Sequence, residues 1–236
     1  IAPASPPFPP FGPLLTECRC ATTTCVTNEC ENCTDSLEAY LVDNGGNADY
    51  LFLESRYEEG GSFCMDEIAR ANVTNATSMR FMFKDASLKD NKLFLEGWGG
   101  RQYGSGGDPG RNQYYTRFVT SMEGMFEGAT ETLGIYNQAF VKTGLDFMSV
   151  TSTRRMFANG KGCCVKNANF SAAKDMTEMF ANTGNQCQGS GDWNFAADQV
   201  TSMKGLFKGS AINREFTGCF PKLEDASEVF MNAGLY

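Results

Sequence analysis

A seven-residue block recurs six times along the chain. The copies are TSMRFMF ending at Phe83, TSMEGMF at Phe126, TSTRRMF at Phe157, KDMTEMF at Phe180, TSMKGLF at Phe207 and EDASEVF at Phe230. Repetition of this kind constrains a fold more than any local propensity. One unit cannot bury its apolar face alone, so neighbours must stack and share one core. With the closing phenylalanine as position 0, position −4 holds Met79, Met122, Thr153, Met176, Met203 and Ala226. Position −1 holds Met82, Met125, Met156, Met179, Leu206 and Val229. Position +3 is always small: Ala86, Ala129, Gly160, Thr183, Ser210 and Ala233. These positions are i, i+3, i+4 and i+7, so each block is expected as a short helix with one buried face. Ser78, Ser121, Ser152, Asp175, Ser202 and Asp225 at −5 read as N-caps, worth ~1 kcal/mol each. Gly128, Asn159, Asn182, Gly209 and Asn232 at +2 read as stop signals.

Ahead of each cap the residues take on strand character. Ala76, Val119, Val150, Ala173, Val200 and Leu223 stand at −7, and Phe147, Phe170 and Phe220 at −10. The reference residues are spaced 43, 31, 23, 27 and 23 apart, which fits coils joined by loops of different length. A glycine-rich stretch beginning at Gly97 fills the longest interval and reads as an exposed excursion. The expected fold class is an α/β solenoid of short strand plus short helix. A methionine stripe can also serve as an adaptable groove, but regular caps and stripes favour stacking.

The run WNFAADQVTSMKGLFKGS from Trp193 to Ser210, and VTSMEGMFEGA from Val119, resemble the BspA-type, leucine-rich-repeat-like repeat of cell-surface proteins. The resemblance covers roughly residues 70 to 236. It is closest in the copies ending at Phe83, Phe126 and Phe207, whereas those at Phe157, Phe180 and Phe230 depart at one or more anchors. The resemblance implies leucine-rich-repeat-like coils, an extracellular or cell-surface location, and adhesion or interaction rather than catalysis. It supplies no catalytic residues.

Net charge is −8 over 236 residues, with no basic patch. Nucleic acid is therefore not an expected partner, because phosphate contacts need clustered Lys and Arg. No apolar run reaches transmembrane length. The ten cysteines point to an oxidising compartment. Cys18, Cys20, Cys25, Cys30, Cys33 and Cys64 form one group, and Cys163, Cys164, Cys187 and Cys219 another. Cys164 and Cys187 each lie seven residues past their reference phenylalanine, so stacking would pair them and leave Cys163 for Cys219. A structural zinc at Cys30 and Cys33 is the rival reading of the first group, although no histidine is present. N-glycosylation sequons stand at Asn32, Asn72, Asn75 and Asn169. The sequence opens on Ile-Ala-Pro without a hydrophobic leader, as a processed secreted protein would.

Three segments are expected: an extended arm over 1–13, a cysteine-rich N-terminal cap over 14–70 and the repeat array over 71–236. The arm holds six of the eight prolines. Pro6, Pro7, Phe8, Pro9, Pro10 and Phe11 are its candidate assembly residues. Proline fixes φ and lacks an N–H, which favours an extended polyproline-II form. The arm docks either on its own array or on a neighbouring copy. In the cap, Asp35 to Val42 reads as a capped helix and the following DNGGNADY as a turn, with calcium as its weaker alternative. The array has no matching cap after Phe230, so its last coil is expected to invite end-to-end stacking.

Without histidine, Ser-His-Asp and Cys-His catalysis and His-ligated metals are excluded. No nucleophile elbow or P-loop is present. The chain is therefore expected to be no enzyme and to need no cofactor. The leading expectation is a secreted structural subunit of an extracellular filament, appendage or matrix, with like copies and N-glycans as partners. The alternative is an adhesion module that recognises a glycan or protein through one face. A third reading, ice or mineral binding, rests on Thr77, Thr120, Thr151 and Thr201 at −6, but Lys174 and Glu224 break that row.

Overall fold

The structure is a computed structural model that describes residues 31–52, 72–86, 116–129, 147–160, 170–184, 193–212 and 216–235. Its spine is a ladder of parallel backbone bridges: Asn47 to Ser78, then Ser121, Ser152, Asp175, Ser202 and Asp225. Apart from Asn47, these are the residues at −5 of the six sequence copies. Successive copies thus lie directly over one another, in chain order. We number the coils 1 to 7 by their reference phenylalanines, Phe52, Phe83, Phe126, Phe157, Phe180, Phe207 and Phe230. Coil 1 was not apparent from the repeat. Asn47, Ala48, Leu51 and Phe52 occupy −5, −4, −1 and 0, inside the segment expected to be cap.

The blocks are not helices. In coils 1, 3, 4, 5 and 6 the amide at −1 donates to the carbonyl at −4, as from Met125 to Met122 and from Leu206 to Met203, at 3.2 and 3.0 Å. The amide at +3 donates to the carbonyl at 0, as from Ala129 to Phe126 at 3.2 Å. The third residue of each turn has positive φ. At −2 these are Tyr50, Phe81, Gly124, Arg155, Glu178, Gly205 and Glu228; at +2, Asp85, Gly128, Asn159, Asn182, Gly209 and Asn232. Hydrogen-bonded four-residue turns with positive φ in third place carry the type II signature. Each block is therefore two such turns in tandem. A further turn, closed by the amide at −7 on the carbonyl at −10, takes the place of the expected strand, as from Val150 to Phe147 at 3.0 Å.

Turns leave alternate amides free to bond across coils, which a helix would not. The N–H groups at −4, −2, 0 and +2 of one coil donate to the carbonyls at −5, −3, −1 and +1 of the next, at 2.7–3.0 Å. In the other direction, the amide at −6 donates to the preceding carbonyl at −6, as from Thr120 to Thr77 and from Thr151 to Thr120. The threonine hydroxyls at −6 reach the same carbonyls at 3.0–3.2 Å, which gives that row a local role.

Positions −7, −4, −1, 0 and +3 face inward. Met79, Met82, Phe83, Met122, Met125 and Phe126 are all completely buried. The reference rings run as one column from Phe52 to Phe230, with centroids 5.3–5.7 Å apart and planes within 12°. Each fully buried ring contributes about 1.5–3 kcal/mol by area, and offset stacking adds about 0.5–1.5 kcal/mol. Small residues at +3 finish the core. Thr183 Oγ1 donates to the Phe157 carbonyl at 2.7 Å, and the Ser210 hydroxyl donates to the Phe180 carbonyl.

Helix α1 (Glu31–Asp43) precedes coil 1 and starts four residues before the expected Asp35 cap. Its Leu37 and Leu41 are buried in the same core as Phe52. The chain then turns, the Asn44 and Gly46 amides donating to the Tyr40 and Leu41 carbonyls at 2.9 and 2.7 Å. Short strands flank the last two coils: β1 (Trp193–Ala196), β2 (Ala211–Ile212), β3 (Phe216–Cys219) and β4 (Gly234–Leu235). β1 pairs with β3 and β2 with β4, both in parallel.

Candidate functional site

Coil 7 is the last coil among the described residues. Ala226, Glu228, Phe230 and Asn232 stand at −4, −2, 0 and +2. Their counterparts Met203, Gly205, Phe207 and Gly209 donate at 2.8–2.9 Å to Asp225, Ser227, Val229 and Met231. Among the described residues, nothing accepts from the four coil 7 amides. The apolar rows are uncovered too. Phe230 is 48 % exposed and Met231 39 %, against 0 % for Phe207. Val229, Leu223 and Phe220 are only partly buried against the core. Among the described residues, the other exposed large apolar side chains, Val42, Phe118 and Met148, do not share a coil with one another.

The charged residues face sideways and tie coils together. Glu127, only 6 % exposed, accepts from Arg155 Nη2 at 2.6 Å and lies 3.6 Å from Lys84 Nζ. Arg155 Nη1 reaches Glu178 at 2.6 Å. The bond to Glu127 holds the Arg155 guanidinium above its ordinary pKa, so it stays charged. Asp49 accepts from the Ser78 hydroxyl, the Arg80 amide and the Arg80 guanidinium, at 2.5, 2.8 and 2.6 Å. That carboxylate, in the turn weighed for calcium, is thus committed to coil 2. Among the described residues no cluster of three or more acidic, Cys or His side chains is placed to hold a metal. No described helix is long and apolar enough to cross a membrane.

The residues expected to carry function are scattered. Asn72 and Asn75 are exposed beside coil 2. Asn72 Oδ1 accepts from the amide and hydroxyl of Thr74, at 3.1 and 2.7 Å. In the neighbouring sequon the Thr77 hydroxyl donates to the Gly45 carbonyl at 3.3 Å. Asn32 and Cys33 lie in α1. Cys219 is an exposed free thiol at the end of β3, opposite Ala196, and its expected partner Cys163 lies outside the described residues. Asn169, the other cysteines (Cys18, Cys20, Cys25, Cys30, Cys64, Cys163, Cys164 and Cys187) and the arm residues Pro6 to Phe11 lie outside the described residues.

The residues at −5 are not helix N-caps, yet Asp175 and Asp225 keep a capping bond. Each accepts the amide two residues on, from Thr177 and Ser227, at 2.8 Å. The repeat alone did not reveal coil 1 because its −4 and −1 anchors are Ala48 and Leu51 rather than Met. The spacing of 31 from Phe52 to Phe83, equal to that from Phe126 to Phe157, was the available signal.

Residues 110–220 match a family described as "Mycoplasma protein of unknown function, DUF285", a span that holds coils 3 to 6. No curated protein and no solved structure matches the chain.

Proposed function

We propose that this chain is a secreted, non-catalytic structural subunit of an extracellular filament, appendage or surface matrix. In this reading it is a solenoid of the BspA type that assembles through its arm and its coil ends. The observation that carries the reading is the stacking itself: parallel bridges run from Asn47 to Asp225 and one column of phenylalanine rings from Phe52 to Phe230. Repeat stacks of this kind create extended surfaces for interaction. The cysteine content and the four sequons support placement outside the cell. Light scattering and negative-stain imaging of the purified chain test the reading. Ordered polymers whose length grows with concentration are expected. A chain that stays monomeric and binds a soluble glycan or protein saturably supports an adhesion module instead.

A further inference from the structure

Resting on the extracellular placement in that reading, we infer that Asn75 carries an N-linked oligosaccharide whose first sugar packs on the exposed ring of Phe118. The two residues come together through the stack. In coil 2 the Ala76 amide donates to the Val73 carbonyl, and in coil 3 the Val119 amide to the Thr116 carbonyl, both at 2.9 Å. These two turns are in register: the Thr120 amide donates to the Thr77 carbonyl at 2.9 Å, and Ser78 bridges Ser121. The first and last residues of both turns, Val73, Ala76, Thr116 and Val119, are completely buried. The tips are left outside, and Asn75 and Phe118 hold the same place, −8, on neighbouring tips. The reference rings of the two coils are 5.6 Å apart, so one coil rise separates the tips.

Asn75 is exposed and begins an Asn-Ala-Thr sequon. Among the described residues no hydrogen bond engages its side chain. The sequon three residues earlier differs. Asn72 Oδ1 already holds the amide and hydroxyl of Thr74, and the Asn72 amide donates to Glu38 at 2.6 Å. A sugar on Asn75 therefore disturbs no bond of the folded chain, and an oligosaccharide there crowds Asn72. The fold also sets the order of events. Ala76 is buried and the Thr77 hydroxyl donates to the Gly45 carbonyl at 3.3 Å, so the whole tripeptide is accessible only before coil 2 closes on coil 1. In the transfer, Asn75 Nδ2 forms a bond to the anomeric carbon of an oligosaccharide carried on a lipid diphosphate. The bond from that carbon to the diphosphate oxygen breaks, the diphosphate leaves with the electron pair, and the amide gives up one proton.

Phe118 gives the sugar a surface to rest on. It is 52 % exposed, a large apolar area to leave in water. The Arg117 guanidinium lies 4.5 Å over the ring and takes one face. A pyranose presents a face of weakly positive C–H bonds, which complements the negative face of an aromatic ring. Because the sugar is tethered one coil away, covering the ring costs little further freedom.

The full chain secreted from a eukaryotic host, followed by glycopeptide mass spectrometry and thermal melting, tests the assignment. Sugar is expected on Asn75 in most molecules. Asn75→Gln should lower the melting temperature by about 2–4 °C, and trimming the oligosaccharide to its first sugar should keep the stability. In a chain carrying Phe118→Ser, the same Asn75→Gln change should cost less than about 1 °C. Both side chains are exposed, so neither substitution threatens the core. An unmodified Asn75 overturns the assignment. So does an equal loss from Asn75→Gln with and without the Phe118 ring, because the sugar would then not touch it. Polymers formed by a chain with unmodified Asn75 overturn the assignment and leave the subunit reading intact. A modified Asn75 on a chain that never polymerises overturns the subunit reading alone.

Discussion

Thr153 sits in the −4 row, where coils 2, 3, 5 and 6 place methionine, and its hydroxyl is buried without a hydrogen-bond partner. A buried unsatisfied polar group costs about 1–3 kcal/mol. Thr153→Val keeps the shape and removes the hydroxyl, so it should raise stability by about 1 kcal/mol in chemical denaturation; a loss of stability would mean that the hydroxyl has a partner. At −2, positive φ singles out Gly124 and Gly205. A side chain there costs about 1–2 kcal/mol from backbone strain alone. At Gly205 an added Cβ would come no nearer than 3.3 Å, to the Glu178 side chain. At Gly124 it would lie 2.3 Å from the Phe81 ring, which stacks on Tyr50. Gly124→Ala should therefore destabilise the fold clearly more than Gly205→Ala, and equal melting-temperature losses would contradict the ring contact.

The element of this fold is a coil of tandem turns, and its identity shows why the sequence misled. Two four-residue turns bury their first and last residues, which are −4, −1, 0 and +3. A helix buries the same four. Apolar spacing could not separate them, and Ser or Asp at −5 accepts an amide two residues on in either case. The better signal was Gly or Asn at +2, read as a stop but in fact the left-handed position of the second turn. Hydrogen exchange should expose the difference. In the dilute monomer the amides of Ala226, Glu228, Phe230 and Asn232 should exchange quickly, and those of Met203, Gly205, Phe207 and Gly209 slowly. Helical coils would instead protect Phe230 and Asn232 as well as Phe207 and Gly209, because only the first-turn amides of a helix lack a partner.

Acid should loosen the same coil first. The Lys208 bond, 2.7 Å long, holds the Glu228 carboxyl below its ordinary pKa, and bonds from Ser227 do so for Asp225. A lowered folded-state pKa contributes stability above the ordinary carboxylate range, about 3.9–4.3. That contribution is lost as pH falls through the folded value. Exchange of the Gly205 and Phe207 amides, whose acceptors lie in coil 7, should therefore quicken relative to coil 3 below about pH 4. An unchanged ratio would show that the Lys208–Glu228 bond does not hold coil 7.

At the scale of the molecule, stability is shared between neighbours, since each coil touches only the next. Phe126 lies near the middle of the column, completely buried between Phe83 and Phe157. Phe126→Ala should cost about 3–5 kcal/mol and separate unfolding into two transitions, with coils 4 to 7 uncoupled from coils 1 to 2. A single transition at lower denaturant would mean that the loops between coils carry more coupling than the column does.

The sequence by itself determined which residues are inside. Repetition of Met, Phe and a small residue at fixed offsets marks the buried rows, because apolar surface has to leave water whatever backbone carries it. Only the tertiary structure decided the backbone. Whether an amide bonds within its own block or to the coil beside it depends on a neighbour tens of residues away in sequence. That choice makes turns of the expected helices and draws residues 47–52 into the stack. It also leaves the coil 7 amides of Ala226, Glu228, Phe230 and Asn232 without acceptors among the described residues.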